Sequence, residues 1–252
     1  MSEMMIKAIT FDLWHTVLEE PMENFAEFLR ENRTKAMEQV FEAHGLPQPL
    51  EDIERAYDAQ GQKLLDIWNR GLDIDEEAQM GIVLSELGIA TDIVDDGLKE
   101  NLLDVYHEVL ARVPPVPFDG AEQLLGGLRD RGLSLAIISN TGRTGGAFFR
   151  ELLEGYGLAR FFDVMVFSNE ARIRKPNKEI FLGTLETLRV SPEEAMHVGD
   201  DSDTDVIGAK NAGMKGILLL IQGRDPERGD PDFVVTKLSE ILDILKELEG
   251  AD

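Results

Sequence analysis

Cysteine is absent from the 252-residue chain, which excludes disulfides, thiolate-held zinc and thiol nucleophiles. Basic residues are scarce: 25 Lys and Arg stand against 49 Asp and Glu, for a formal charge of −24. Such a surface repels nucleic-acid phosphates and anionic lipid headgroups, so neither is expected as a partner. No apolar run approaches membrane-spanning length, and the opening MSEMMIKAITF lacks the basic start and long apolar stretch of a signal peptide. A soluble, cytoplasmic protein is expected. A site for a small anion must bring its own cations, from lysine or from a metal. What is present is core: 43% of residues are hydrophobic, enough for one large or two modest domains.

The run MIKAITFDL is β-branched, aromatic and continuously apolar, the pattern of a strand buried on both faces. From Pro21 to about Val113 the spacing turns helical. MENFAEFLRENRTKAMEQVFEAHG, LEDIERAYDAQGQKLLDIWNRG, DIDEEAQMGIVLSELG and TDIVDDGLKENLLDVYHEVLARV begin at capping or acidic residues and close at Gly or Pro. Beyond Pro117 helices and strands alternate. The expected strands are LSLAIISN, FFDVMVFSN, AMHVGD, KGILLLIQG and DFVVT, with helices between them and DVIGAKNAG as one of those helices. Alternation predicts an α/β fold, a parallel sheet with helices on both faces. The helical stretch is then an insertion at 18–113, and 1–17 with 114–252 make the sheet-bearing body.

Ligands of open parallel sheets bind beyond the carboxyl ends of the strands. Four strand ends here finish in polar residues. AITFD ends at Asp12, LAIISN at Ser139 and Asn140, and MHVGD at Asp200 with Asp201, Asp203 and Asp205 behind it. FSNEARIRKP follows a fourth strand and carries Lys175 before Pro176. Taken singly, each is ordinary turn, loop or helix-capping chemistry. Together they set a nucleophile, a hydroxyl, a lysine and an acidic pair along one edge of one sheet.

In these four segments the chain resembles the haloacid dehalogenase-like (HAD) hydrolase superfamily. FDLWHTV looks like its first motif, IISNTG its second, RKP its third and VGDDSDTDVIGAKNAG its fourth. The resemblance implies a Rossmann-like three-layer core and an all-helical, four-helix cap inserted after the first strand. It implies that Asp12 is a nucleophile forming a covalent aspartyl intermediate. Ser139, with the backbone around Asn140, would hydrogen-bond the phosphoryl group, and Lys175 would neutralise its charge. Asp200, with Asp205 directly or through water, would hold Mg²⁺ beside Asp12 and the Trp14 carbonyl. Thr16 would fix the turn and hydrogen-bond Asp12. A carboxylate approaches a phosphate dianion only if cations screen the repulsion, and oxygen ligands with no His or Cys nearby favour Mg²⁺ over zinc.

Trp14 departs from the family pattern. Its phosphatases usually carry Asp there, which protonates the leaving alkoxide and then activates water; Trp can do neither. The loss matters least for leaving groups already stable as anions, such as acyl or aryl phosphates. The 2-haloacid dehalogenases of the superfamily carry an aromatic residue at this position, because halide needs no proton to leave. Against that reading, Asp12, Asp200 and Asp205 gathered around one lysine would raise a carboxylate pKa unless a divalent cation sat among them. A weakly active binding or regulatory protein is the third reading. His15 is a candidate substitute acid or base; its plainer role is packing at the hinge of the insertion.

A cap would exclude water and touch the leaving group. Phe25, Arg33, Trp68 and Arg70 are candidates to face the site from it, with Arg143 of SNTGRTGG from the body. The expected substrate is a small phosphorylated metabolite. Surplus apolar helix surface is available for a homodimer.

Overall fold

The computed structural model describes residues 5–90, 93–221 and 228–250. Its central strand, β1 (Ala8–Phe11), is buried along its whole length. Ile9 and Phe11 join one hydrophobic cluster and Ala8 another, so both faces of the sheet are covered. That is why the strand reads as an unbroken apolar run.

After β1 the chain makes a short antiparallel crossing, β2 (Leu18–Glu19) with β3 (Val116–Pro117). Between these two strands lie four helices: α1 (Phe25–Ala43), α2 (Leu50–Trp68), α3 (Glu76–Glu86) and α4 (Asp96–Arg112). They pack around their own core, which includes Met37, Phe41, Ile53, Tyr57, Val83 and Tyr106. Nothing in the sequence pattern announces the two-residue strands of the crossing.

The body continues with α5 (Ala121–Asp130), β4 (Ser134–Ser139), α6 (Gly146–Gly155), β5 (Val164–Phe167), α7 (Ser168–Ala171), α8 (Lys178–Leu188) and β6 (Ala195–Gly199). Next come α9 (Ile207–Asn211), β7 (Lys215–Leu219), β8 (Phe233–Val235) and α10 (Glu240–Glu249). The six body strands pair in parallel in the order β5-β4-β1-β6-β7-β8. Leu124, Phe149, Ile241 and Leu245 from α5, α6 and α10 cover one face; Ile180, Phe181 and Ala209 from α8 and α9 cover the other. The predicted α/β fold with a four-helix insertion is the one observed. No helix among the described residues is long and apolar enough to cross a membrane.

Element ends differ from expectation for identifiable reasons. α1 starts at Phe25 rather than Met22 because Asn24 takes a left-handed backbone, φ 55°. α3 starts at Glu76 because Asp75 caps it, accepting from the Ala78 amide at 2.7 Å. α4 starts at Asp96, capped by Asp95; the expected start at Thr91 lies outside the described residues. Residues 202–206 form a wide π turn before α9, where a regular helix from Asp205 is predicted. β7 ends at Leu219, and Gln222 and Gly223 of the expected strand lie outside the described residues.

Candidate active site

β1 lies between β4 and β6, so Asp12, Ser139 and Asp200 emerge at three adjacent strand tips. The Asp12 amide donates to Val198 O at 2.8 Å, which ties the residue to the sheet edge. Lys175 reaches the same point from the loop between α7 and α8. Its Nζ lies 2.8 Å from Asp12 Oδ1 and 2.6 Å from Asp205 Oδ1, with the lysine side chain only 1% exposed. The loop is held by Asn140: its Oδ1 accepts from the Lys175 amide at 2.8 Å and its Nδ2 donates to Lys175 O at 3.0 Å. The Asn140 side chain thus positions Lys175, and only its backbone is left for a ligand.

Asp205 is cradled. A Cβ at Gly199 would overlap its carboxylate, so the position admits glycine alone. Its Oδ2 accepts from the Asp201 amide at 3.0 Å, and Oδ1 also faces His197 Nε2 at 3.2 Å. Thr10 Oγ1 engages the other ring nitrogen of His197 at 2.7 Å. The expectation of no histidine near the acidic cluster is therefore corrected. His197 is 1% exposed, and both its nitrogens are in use. Asp201 caps the following turn, accepting from the Asp203 and Thr204 amides, while Asp203 pairs with Arg228 at the surface.

Oxygens of Asp12, Asp200 and Asp205 all lie within 4.8 Å of one another. Burial lifts the Asp12 carboxyl against the pull of Lys175, with Asp205 and Asp200 adding to the rise, to about 7. Burial opposes charge on Asp205 as well, but Lys175 and the His197 hydrogen bond outweigh it and hold that carboxyl below the ordinary range. The cluster is an all-oxygen donor set carrying more negative charge than one lysine neutralises, which suits a hard divalent cation. Asp205 already carries three hydrogen bonds, from Lys175, His197 and the Asp201 amide.

Ser139 and Thr16 are fully buried, and each has a hydroxyl without a hydrogen-bond partner among the described residues. The expected hydrogen bond from Thr16 to Asp12 is thus not formed. The turn after Asp12 is closed by backbone instead: the Val17 and Leu18 amides donate to Leu13 O at 2.9 and 2.8 Å. His15 sits in this turn with a left-handed φ of 57° and donates its amide to Leu18 O at 2.6 Å. Trp14 is half-buried, edge-on to Phe149 at 5.5 Å and tilted against Phe25 at 6.4 Å.

Two cavities open where the insertion meets the body. One, about 710 Å³, is lined by Trp14, Arg33, Tyr57, Trp68, Arg143 and Phe149 among others. The second, about 560 Å³, is lined by Arg70, Asn140, Arg174 and Lys175, and the two share Leu65 and Trp68. Of the residues expected to face the site, Arg33, Trp68, Arg70 and Arg143 line these cavities. Phe25 does not: it is core, 2% exposed and stacked on Phe28.

Residues 6–213 match the haloacid dehalogenase-like hydrolase family. The chain belongs to this family. It is 30% identical over 257 residues to glyceraldehyde 3-phosphate phosphatase of Methanopyrus kandleri, covering 97% of this chain and 99% of that one. Its fold superposes on a HAD phosphatase from Thermococcus onnurineus with a TM-score of 0.63 at 25% identity, over 95% and 98% of the two chains. On a 2-haloacid dehalogenase from Pseudomonas syringae the TM-score is 0.69, again at 25% identity, over 96% and 99%.

Three residues of this HAD hydrolase's site escape a sequence reading. Asp73, between α2 and α3, has a completely buried side chain that accepts from Trp68 Nε1 at 3.0 Å, from Ser168 Oγ at 2.5 Å and from Arg174 at 3.3 Å. Ser168 in turn accepts from the Thr141 amide at 2.9 Å, on the loop after Ser139. Arg174 stacks over the Trp68 ring at 4.3 Å and flanks Lys175. Asp73 therefore joins the insertion, through Ser168 and Arg174, to the loop that follows Ser139 and to the loop that carries Lys175. Its only sequence signal is an acidic residue just past a helix-ending glycine, which reads as capping.

Proposed function

We propose that the protein is a magnesium-dependent phosphatase of small phosphorylated metabolites that works through phosphate carried on Asp12. The reading rests on one observation: the carboxylates of Asp12, Asp200 and Asp205 crowd together beside a buried lysine, and burial with the neighbouring carboxylates raises the Asp12 pKa. Asp12, Asp200 and the Trp14 carbonyl would hold the cation, with Asp205 adding charge and a fixed hydrogen-bond frame. The metal would supply positive charge between the carboxylates and the phosphoryl oxygens.

Asp12 Oδ attacks phosphorus, the bond to the leaving oxygen breaks, and the leaving group departs with its electron pair. Ser139 donates its unpartnered hydroxyl to a phosphoryl oxygen, and Thr16 offers a second. Lys175 pairs with the same oxygens while keeping Asp12 oriented. Water then attacks phosphorus, its proton passes to solvent, and inorganic phosphate leaves with Asp12 restored. No side chain at position 14 delivers or removes these protons, so acyl and aryl phosphates are the favoured substrates. General acid–base help is worth about 10²–10⁴-fold, and that is the handicap for alkyl esters. The helices of 18–113 act as a cap that shuts water out, and the cytoplasm is the site of action.

A second reading, 2-haloacid dehalogenase, is favoured by Trp14 and by the fold likeness to the Pseudomonas syringae enzyme. Hydrolysis of p-nitrophenyl phosphate with and without Mg²⁺, with Asp12→Asn as control, tests the proposal; halide release from 2-chloropropionate tests the alternative. Metal-dependent phosphate release that disappears in Asp12→Asn supports the phosphatase. Halide release without it supports the dehalogenase. Neither, from a folded protein, supports a binding or regulatory module.

A further inference from the structure

The larger cavity is lined by three arginines, and among the described residues only Arg30 pairs with a carboxylate. Arg30 is met by Asp58 through two parallel hydrogen bonds of 2.7 Å. Arg33 is 5% exposed and donates only to neutral atoms: Thr144 Oγ1 at 2.6 Å, Tyr106 O at 3.2 Å and the Tyr57 hydroxyl at 3.4 Å. Its Nε has no hydrogen-bond partner among the described residues. Arg143 donates to Gln60 Oε1 at 2.6 Å and Tyr57 O at 3.2 Å, with its guanidinium over the Tyr57 ring at 4.0 Å. Among the described residues neither Arg33 nor Arg143 makes an ion pair.

Arg33 is a desolvated cation with no carboxylate in contact, which is costly in a chain with acidic residues in large surplus. Arg143 is half-buried and feels the charge of Asp58 in the same cavity without pairing with it. The fold gives up more for Arg143. Gly61 lies inside α2, where glycine is less stable than alanine, and a Cβ there would come within 2.9 Å of Arg143 Nη2. Trp14 lines the same cavity two residues after Asp12, and Leu65 and Trp68 connect it to the cavity that contains Lys175. A substrate with its phosphoryl group on Asp12 can therefore extend its leaving portion over Trp14 towards these arginines.

We propose that Arg33 and Arg143 form a subsite for a second anionic group, a carboxylate or a further phosphate, on the leaving portion of the substrate. Planar guanidinium forks match both groups, and Arg33 Nε is a donor left for one of them. The inference rests on the phosphatase reading for its substrate, but its test does not depend on turnover. The probes are 3-phosphonopropionate, methylenebisphosphonate and uncharged-tailed propylphosphonate, titrated calorimetrically into the protein with Mg²⁺. At least one anionic-tailed probe binds tighter than propylphosphonate by about tenfold or more, as charge-assisted hydrogen bonds allow. The tighter of the two identifies the second group as carboxylate or phosphate.

Arg33→Gln and Arg143→Gln each collapse that preference. So does Gly61→Ala, which displaces the Arg143 guanidinium while removing no charge, and which melts at or above the wild-type temperature. A stable Gly61→Ala protein with lost discrimination separates recognition from a structural role, and holds even if Arg33→Gln fails to fold. Equal affinity for all three probes, or a preference that survives in Arg143→Gln and Gly61→Ala, overturns the subsite. A protein that hydrolyses p-nitrophenyl phosphate without discriminating the probes loses the subsite and keeps the reaction. One that discriminates them but hydrolyses nothing keeps the subsite and loses the reaction.

Discussion

Lys175 and Asp12 form a buried ion pair, Nζ to Oδ1 at 2.8 Å, and the same ammonium holds Asp205. Removing a partner from a buried pair leaves charge uncompensated, so Lys175→Met should destabilise the apo protein by about 3–5 kcal/mol. Magnesium should return part of that loss, because a cation takes over the screening. Urea denaturation with and without Mg²⁺ checks this: the midpoint shift on adding metal is larger in the variant than in the wild type. An equal shift in both contradicts it.

The raised Asp12 carboxyl makes metal affinity depend on pH. Because its pKa in the folded protein is about 7, Asp12 is mostly protonated below that pH, and a cation must displace the proton. Affinity for Mg²⁺ should therefore fall about tenfold per unit as pH drops below about 7, and level off above it. Calorimetric titrations in buffers of differing protonation enthalpy read the proton released. Affinity that stays flat through this range contradicts the account.

Trp14→Asp supplies the missing acid and base at the cost of packing against Phe25 and Phe149. Losing that ring should cost about 3 kcal/mol of stability, near the low end for a large aromatic. Turnover of alkyl phosphates should rise by about tenfold or more if the rest of the site is intact. Steady-state rates for glycerol phosphate measure the gain. A folded variant with no gain contradicts this explanation of Trp14.

The sheet was legible because its strands are buried on both faces and read as apolar runs, and the site because polar residues interrupt those runs at their carboxyl ends. Asp12, Ser139 and Asp200 were placed by that rule alone. What stayed hidden depends on contacts between segments far apart in sequence. His197 looks like an ordinary strand residue until Asp205 and Thr10 close on its ring. Asp73 looks like a helix cap until Ser168 and Arg174 arrive from the body. Thr16 suggests a hydrogen bond to Asp12, but the turn closes on Leu13 O through backbone amides, and the hydroxyl has no partner among the described residues.

Asp73 is the tie between the helical insertion and the site. Asp73→Ala leaves Arg174 without its carboxylate and Ser168 and Trp68 without an acceptor, and should destabilise by about 3 kcal/mol or more. Because it anchors the loops carrying Ser139 and Lys175, KM for p-nitrophenyl phosphate should rise as well. Thermal melts and steady-state kinetics check both effects. A variant as stable as wild type with an unchanged KM contradicts the tie.

The central claim is that Asp12 carries phosphate and that position 14 offers no base to remove it. Rapid acid quench during turnover of acetyl phosphate with Mg²⁺, followed by peptide mass spectrometry, tests it most directly. The account predicts a hydroxylamine-labile phosphate on Asp12 that builds up in the wild type, drains faster in Trp14→Asp and is absent from Asp12→Asn. Turnover with no phosphate on Asp12 at any quench time, or turnover that persists in Asp12→Asn, contradicts it.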